Sequence, residues 1–303
     1  LFLDNNTRFR ILILIDARTN LNRIANNFAA ASSMDRTYVI TGGASGIGAA
    51  TAKYLRERGG RVISCDLHDA DVVADLSTAN GRATLVDGVA RLANGRIDAI
   101  IANAGGGRPE TMLQVNFFGA VATLEGLRPL LAGSPAPRAA AVSSIASLDR
   151  TDPCLVEACL ALDENKAIAL ANELSARAAA SQGDAGTRAG QVALDLYRNA
   201  KYALNCWCRR AAVKPEWAGA GITLNVLGPG VIDTPAAQYI LNDPGASASI
   251  GAMMPMKGAF PGRPDSMAAA LAWCVSAENA LMTGEVIFVD GGFECLARGE
   301  RHW

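Results

Sequence analysis

The run Thr41-Gly42-Gly43-Ala44-Ser45-Gly46-Ile47-Gly48 decides how the chain is read, because of what flanks it. Before it stands Thr37-Tyr38-Val39-Ile40, with the composition of a buried strand; after it, Ala49 to Arg58 carries helical periodicity. A glycine-rich loop between a strand and a helix lets the backbone approach a phosphate group at the helix N-terminus, where free N–H groups and the helix dipole favour anions. A side chain at those positions would occupy the space the phosphates require. Alone, such a loop is equally a tight turn, so its meaning depends on the rest of the chain.

From Arg61 onward strand and helix alternate. Arg61 to Cys65 reads as the second strand, and a third around Val72-Val73-Ala74 comes so soon that the crossover between them must be abbreviated. Thr78 to Ala93 reads as a helix, Ile97 to Ala102 as a strand, Thr111 to Leu131 as one long helix ending at the breakers Gly133 and Pro135, and Ala139 to Ser143 as a strand. Further on, a helix is expected from Gln191 to Val213, a strand from Ile222 to Val226, a helix from Asp265 to Ala277 and a last strand from Glu285 to Val289. This alternation is the pattern of an α/β chain with a parallel sheet. Asp66 then stands at the end of the second strand, about 20 residues past the glycines, where a carboxylate can accept hydrogen bonds from ribose hydroxyls and would repel a 2′-phosphate. That position favours NAD over NADP, although an aspartate there can also simply open a turn.

Composition narrows the classes. At 303 residues, half of them hydrophobic, the chain has material for one α/β domain with modest appendages. A net charge of −1 with dispersed Lys and Arg leaves no basic stripe for nucleic acid. The odd, scattered set of seven cysteines argues for reduced thiols in the cytoplasm, and two histidines leave little material for a metal site. No apolar run approaches the roughly 20 residues that span a bilayer. Residues 1–33, with Arg8, Arg10, Arg18 and Arg23 and a Ser32-Ser33 end, read as a leader, tag or upstream extension before a start at Met34, a transit peptide being the alternative.

Beyond the glycine loop the chain carries Asn103-Ala104-Gly105, Asn116, Ser144, Tyr197-x-x-x-Lys201, and Gly228-Pro229-Gly230 followed by Thr234. In this order, from Arg36 to about Gly292, these motifs resemble the short-chain dehydrogenase/reductase family. The resemblance implies a Rossmann-type doubly wound parallel sheet in a single domain over 34–303. It also implies NAD (NADH) held by Gly42, Ser45, Gly46, Ile47, Gly48, Asp66, Asp75, Leu76, Asn103, Ala104, Gly105, Tyr197, Lys201, Pro229, Gly230, Ile232 and Thr234. In catalysis it implies Tyr197 as general acid/base, Ser144 hydrogen-bonding the substrate oxygen, Lys201 also holding the cofactor ribose, and Asn116 organising a water-linked proton relay, with Ser143 the alternative serine. The residues themselves support the proton chemistry. Moving a tyrosine from its usual pKa near 10 to neutrality takes about 4 kcal/mol of phenolate stabilisation, and Lys201, four positions on and so on the same helix face, is a cation placed to supply it.

Ser144 and Tyr197 are 53 positions apart, far more than most members of that family show. The excess reads as a helical insertion over about 149–190: Asp152 to Ser181 is rich in Ala, Leu and Glu at helical spacing, and Gln182-Gly183-Asp184-Ala185-Gly186 breaks it. Asp69 to Ala79 and Ala141 to Ser147 are similar to the bacterial 3α-hydroxysteroid dehydrogenase/carbonyl reductase group, which also carries an insertion before its tyrosine. In many relatives the tyrosine helix packs on its copy in a second subunit; an insertion leading into it implies a homodimer through a different surface. Val231 to Pro235, Tyr239 to Leu241, Met253 to Met256 and Phe260 fall where family members cover the substrate, and suit a bulky apolar alcohol or ketone such as a hydroxysteroid or cyclic ketone, though the methionines can equally fill core. A cis-diol dehydrogenase of aromatic degradation, and a non-catalytic dinucleotide-binding sensor or scaffold, are the other readings.

Overall fold

β1 (Thr37–Thr41) is buried along its whole length, and its side chains alternate between two apolar layers: Val39 enters one, Tyr38 and Ile40 the other. A strand buried on both faces belongs inside a sheet covered by helices on either side, and the computed structural model, which describes residues 36–180 and 184–300, has that form. The expected leader at 1–33 and start at Met34 lie outside the described residues, as do Gln182 and Gly183 of the expected helix break.

After β1 come α1 (Gly46–Arg56), β2 (Arg61–Asp66), the two-residue β3 (Val72–Val73), α2 (Ala79–Leu92) and β4 (Ala99–Ala102). A π-helical turn (Gln114–Gly119) runs into α3 (Ala120–Leu127), then β5 (Arg138–Val142). Three helices come next, α4 (Pro153–Leu160), α5 (Glu164–Ala180) and α6 (Ala185–Ala212), before β6 (Thr223–Pro229). The chain closes with α7 (Gln238–Leu241), α8 (Pro244–Ala252), α9 (Pro264–Cys274), β7 (Val286–Val289) and α10 (Phe293–Arg298).

The strands lie in the order β3-β2-β1-β4-β5-β6-β7, every pairing parallel. Strand order reverses between β1 and β4, and at such a switch point the C-terminal strand ends leave a crevice for a ligand. The alternation seen in β1 recurs. Ile100, Ala139 and Ala141 join the layer under α2, α3 and α6, while Ile101, Ala140 and Val142 join the layer under α1 and α9. Each large aliphatic side chain so buried contributes about 1.5–3 kcal/mol.

Three expected elements differ. Thr111–Leu131 is not one helix: short 3₁₀ turns at Pro109–Thr111 and Arg128–Leu131 bracket the π turn and α3. Asn116 places its side-chain amide on the carbonyl oxygen of Met112 at 2.9 Å, the group its backbone N–H would take in an α-helix, and a local side-chain competitor of this kind loosens the ladder. The helix expected from Gln191 starts earlier, at Ala185, because Asp184 accepts the Thr187 N–H at 2.9 Å as its cap. The expected helical stretch Asp152–Ser181, whose last residue lies outside the described residues, is two helices as far as Ala180. Asp152 caps α4, accepting from the N–H groups of Cys154 and Leu155, with Pro153 in its first turn, and Leu162 at φ +59° turns the chain before α5.

Candidate active site

The glycine loop leaves no room for side chains. Gly42 and Gly46 hold φ of +68° and +52°, the left-handed region that favours glycine. A Cβ on Gly42 would fall 2.8 Å from Asn103 Nδ2, and one on Gly48 would run into the carbonyl oxygen of Gly42. Asn103 fastens the loop to the next strand end: its Nδ2 donates to the carbonyl oxygens of Thr41 (2.9 Å) and Gly42 (3.2 Å), while the N–H groups of Asn103 and Ala104 both donate to Thr41 Oγ1 at 3.1 Å. Thr234 lies over Gly46, its Cβ 3.2 Å from where a Cβ there would stand. Gly230 is pinched between Asp290 and Met254 at 3.0 Å. Pro229 ends β6, and Ile232 is buried beside Gly262. Ser45 and Ile47 open α1. This cradle, with exposed N–H groups at the start of α1, fits a pyrophosphate.

At the edge, Asp66 ends β2 with one carboxylate oxygen accepting from the Ala44 N–H (2.9 Å) and the other from the Leu67 N–H (2.7 Å). Asp75 is exposed and accepts the Ser77 N–H at 2.9 Å; hydrogen bonding from the Ser77 side chain and then its backbone lowers the Asp75 pKa. Leu76 beside it is buried.

Gly105 joins this end to the proton-handling groups. A Cβ there would lie 3.1 Å from Asn116 Oδ1 and 3.4 Å from Lys201 Nζ. Asn116 is fully buried; its amide donates to the carbonyl oxygens of Gly106 and Met112 and its Oδ1 accepts the Gly106 N–H. Its side chain is thus committed to holding the 103–106 loop against the π turn. Lys201 is buried, donates from Nζ to the Val142 carbonyl oxygen at 2.9 Å, and stands 5.6 Å from the centre of the Tyr197 ring.

Burial opposes charge on both partners. It pushes the Tyr197 phenol up to about 12, against a hydrogen bond with Ser144 that favours the ionised form, while the nearby Tyr239 phenol adds to the rise. It pushes the Lys201 ammonium down to about 8. The four-residue spacing alone leads one to expect the cation to dominate the tyrosine; among the chain's own groups, desolvation is the larger effect.

The three neighbouring serines divide cleanly. Ser143 is buried and donates to the backbone carbonyl oxygen of Lys201 at 3.3 Å. Ser147 donates to the Ser144 carbonyl oxygen at 2.7 Å and accepts from Asn205 at 3.0 Å. Ser144 faces Tyr197, its Oγ accepting the Ala146 N–H at 3.1 Å. The helix that carries Tyr197 is braced by Arg198, which pairs with Asp149 and Asp195 at 2.9 Å each, and by Asn199, whose Oδ1 accepts the Asp152 N–H at 2.8 Å. Neither residue carries a recognisable signal in the sequence, because each works through the fold.

A cavity of about 670 Å³ lies beyond α7, lined among others by Leu241, Met254, Met256, Lys257 and Phe260. It is lined by none of Ser144, Tyr197 and Lys201. α7 borders both places: Tyr239 is close enough to act on the ionisation of Tyr197, and Leu241 lines the cavity. Among the described residues there is no group of three or more His, Cys, Asp or Glu placed to hold a metal ion, and no helix long and apolar enough to cross a membrane.

Known proteins share this architecture. Residues 36–153 match the family model described as short chain dehydrogenase, and 167–294 the one described as Enoyl-(Acyl carrier protein) reductase. The 3-alpha-hydroxysteroid dehydrogenase/carbonyl reductase of Comamonas testosteroni is 35% identical, over 86% of this chain and 97% of its own length. The cis-4-hydroxycyclohexanecarboxylate dehydrogenase of Sinomonas cyclohexanicum is 30% identical over 86% and 98%. Among solved structures, the 3-alpha-hydroxysteroid dehydrogenase of Pseudomonas sp. B-0831, complexed with NADH, superposes with a TM-score of 0.72 at 34% identity, covering 87% of this chain and 99% of that one. With its parallel sheet, its glycine cradle and relatives matched over almost their whole length, the chain belongs to the short-chain dehydrogenase/reductase family of oxidoreductases.

Proposed function

We propose that the protein interconverts a secondary alcohol and a ketone with NAD as its redox partner, Tyr197 exchanging the hydroxyl proton. The observation that carries this reading is the contact of Ser144 with Tyr197, with Lys201 behind the phenol and Gly105 against both Lys201 and the cofactor-side loop. When bound, the dinucleotide supplies the acceptor or donor of hydride at the alcohol carbon.

The chain's own groups handle the proton. Ser144 and Tyr197 donate to the substrate oxygen, and the protonated phenol that burial favours is the form that delivers a proton to a ketone. In the oxidising direction Tyr197 must accept that proton, and positive charge at Lys201 favours the step. Asn116 ties the 103–106 loop to the π turn, and Gly105 in that loop lies against Lys201. The glycine cradle, Asn103-Ala104-Gly105, Pro229, Gly230, Ile232 and Thr234 hold the dinucleotide, with Asp75 and Leu76 at its adenine side. Asp66, ending β2, accepts from ribose hydroxyls and repels a 2′-phosphate.

The substrate is a bulky apolar ring alcohol or ketone. Two of the relatives are named for a hydroxyl carried on a saturated ring, and α7, α8 and the methionines lining the neighbouring cavity suit an apolar body. We read the protein as a cytoplasmic homodimer whose interface avoids the usual face of α6, because α4 and α5 pack along that helix; a monomeric mass in light scattering would remove this part.

The test is dinucleotide-linked turnover of hydroxysteroids, cyclic alcohols and cis-diols with NAD⁺ or NADP⁺, in wild type and Tyr197→Phe. The reading expects turnover with NAD⁺ on a ring alcohol, lost in the variant by about a thousandfold or more while dinucleotide binding persists. Preference for a cis-diol would replace the substrate class, and binding without turnover of any member would favour the sensor.

A further inference from the structure

Arg82, in the first turn of α2, reaches three separate parts of the chain. Its Nε donates to the Leu76 carbonyl oxygen at 2.8 Å. Nη1 and Nη2 form a fork on the two carboxylate oxygens of Glu164, both at 2.7 Å. Nη2 also approaches the carbonyl oxygens of Gln114 (3.4 Å) and Ser77 (3.5 Å), and the guanidinium stands 5.9 Å from the centre of the Phe118 ring. The pair is well shielded, the side chain of Arg82 being 12% exposed and that of Glu164 31%.

Each partner has a place in the site. Leu76 and Ser77 lie between β3 and α2, where the proposed reading puts the adenine-side rim of the cradle. Gln114 opens the π turn that carries Asn116, and Leu76 packs where a Cβ on Gly119 would stand, 2.9 Å away. Glu164 is the first residue of α5. The seam beyond it is loosely filled: a cavity of about 140 Å³ opens between α5 and the 109–114 turn, and the buried residues of α5 are the small Ala167 and Ala171. Leu170 and Leu174 pack against the core further along that helix, and at its start the charge-assisted fork is the directed tie.

We propose that Arg82 is a positioning residue for the dinucleotide and that Glu164 sets its orientation, making α5 a working part of the cofactor site. A guanidinium is planar and rigid, so engaging its fork fixes the direction in which Nε points. Here that direction is the Leu76 carbonyl. Without the carboxylate the long side chain recovers rotamer freedom and the rim it holds relaxes. Coupling of this kind is reciprocal, so dinucleotide binding stiffens the start of α5. This role rests on the reading of the glycine cradle as a dinucleotide site.

The test is titration of wild type, Glu164→Gln, Arg82→Gln and the double variant with NADH, alongside steady-state kinetics and thermal unfolding. Glu164→Gln is expected to weaken NADH binding about three- to tenfold and to raise the dinucleotide KM in step, with kcat within about twofold. In the Arg82→Gln background the Glu164 substitution is expected to add nothing, because its effect passes through that side chain. Hydrogen exchange across 164–171 slows on adding NADH in wild type and not in Arg82→Gln. Should Arg82→Gln fail to fold, Arg82→Lys, which keeps the charge and loses the fork, takes its place in the cycle. A lowered melting temperature with unchanged NADH affinity, or penalties that simply add in the double variant, would overturn the proposal. Wild type that binds no dinucleotide would overturn the cofactor reading beneath it; wild type that binds, with variants binding equally well, overturns this inference alone.

Discussion

Lys201 Nζ stands 5.6 Å from the centre of the Tyr197 ring and donates its hydrogen bond to the Val142 carbonyl oxygen, 2.9 Å away. The lysine is therefore moored to the end of β5, behind the tyrosine, and acts on the phenol through space. Moored there and buried, it also carries a cost that depends on pH.

Burial lowers Lys201 from 10.5 to about 8. Below about 8 both folded and unfolded chains hold the proton, and the folded chain bears a desolvated ammonium. Between about 8 and 10.5 the unfolded chain binds more protons than the folded one, so stability rises with pH through that window. Tyr197, raised from 10.0 to about 12, has the opposite sign: the folded chain holds its phenolic proton longer, so stability falls with rising pH above about 10. Its contribution to the slope therefore falls outside the lysine window for the most part. Wild type should gain about 2–3 kcal/mol relative to Lys201→Met between pH of about 8 and 10, by urea unfolding. A difference that stays flat across this window would mean the ammonium is not desolvated.

The serines separate structure from chemistry. Ser144→Ala should cut kcat/KM by about a hundredfold with little change in melting temperature, since it removes a donor to the reacting oxygen. Ser143→Ala should cost about 1 kcal/mol of stability, through its lost bond to the Lys201 backbone, and leave more activity. The reverse pattern would make Ser143 the substrate-facing group.

Gly48→Ala should damage both folding and binding. Its Cβ would collide with the Gly42 carbonyl oxygen, so α1 must move off the loop it caps. We expect a loss of about 2 kcal/mol or more by thermal unfolding, and NADH binding weakened at least about tenfold in a fluorescence titration. A variant of wild-type affinity would show that the loop does not hold the pyrophosphate.

Asp66→Ser should lower the preference for NAD⁺ over NADP⁺, measured as the ratio of kcat/KM values, by about 10- to 100-fold, because the repulsion of a 2′-phosphate disappears. The Ala44 and Leu67 N–H groups also lose their acceptor, so part of the fall is expected in absolute NAD⁺ affinity. An unchanged ratio would place the selectivity elsewhere.

Local pattern was enough for the sheet and the site motifs. Strand periodicity, the glycines of the first loop and the four-residue step from Tyr197 to Lys201 are each set by neighbours in the chain, so the parallel α/β fold and the order of the motifs were readable from residues alone. The π turn was not, because the local bond of Asn116 to Met112 comes with Asn116 reaching back to Gly106 and Gly119 crossing Leu76, the last a contact between segments far apart in sequence. The start of α6 at Ala185 turned on a single cap, that of Asp184. Tertiary structure decided between Ser144 and Ser143 as the serine facing Tyr197, that Lys201 is moored to Val142, and that Arg82 holds Leu76 while reaching Glu164, 82 positions beyond it. Ionisation belongs to the same class: the Tyr-x-x-x-Lys spacing announces a cation beside a phenol, but how far each shifts depends on how much water the rest of the fold removes, and desolvation is a property of three-dimensional packing.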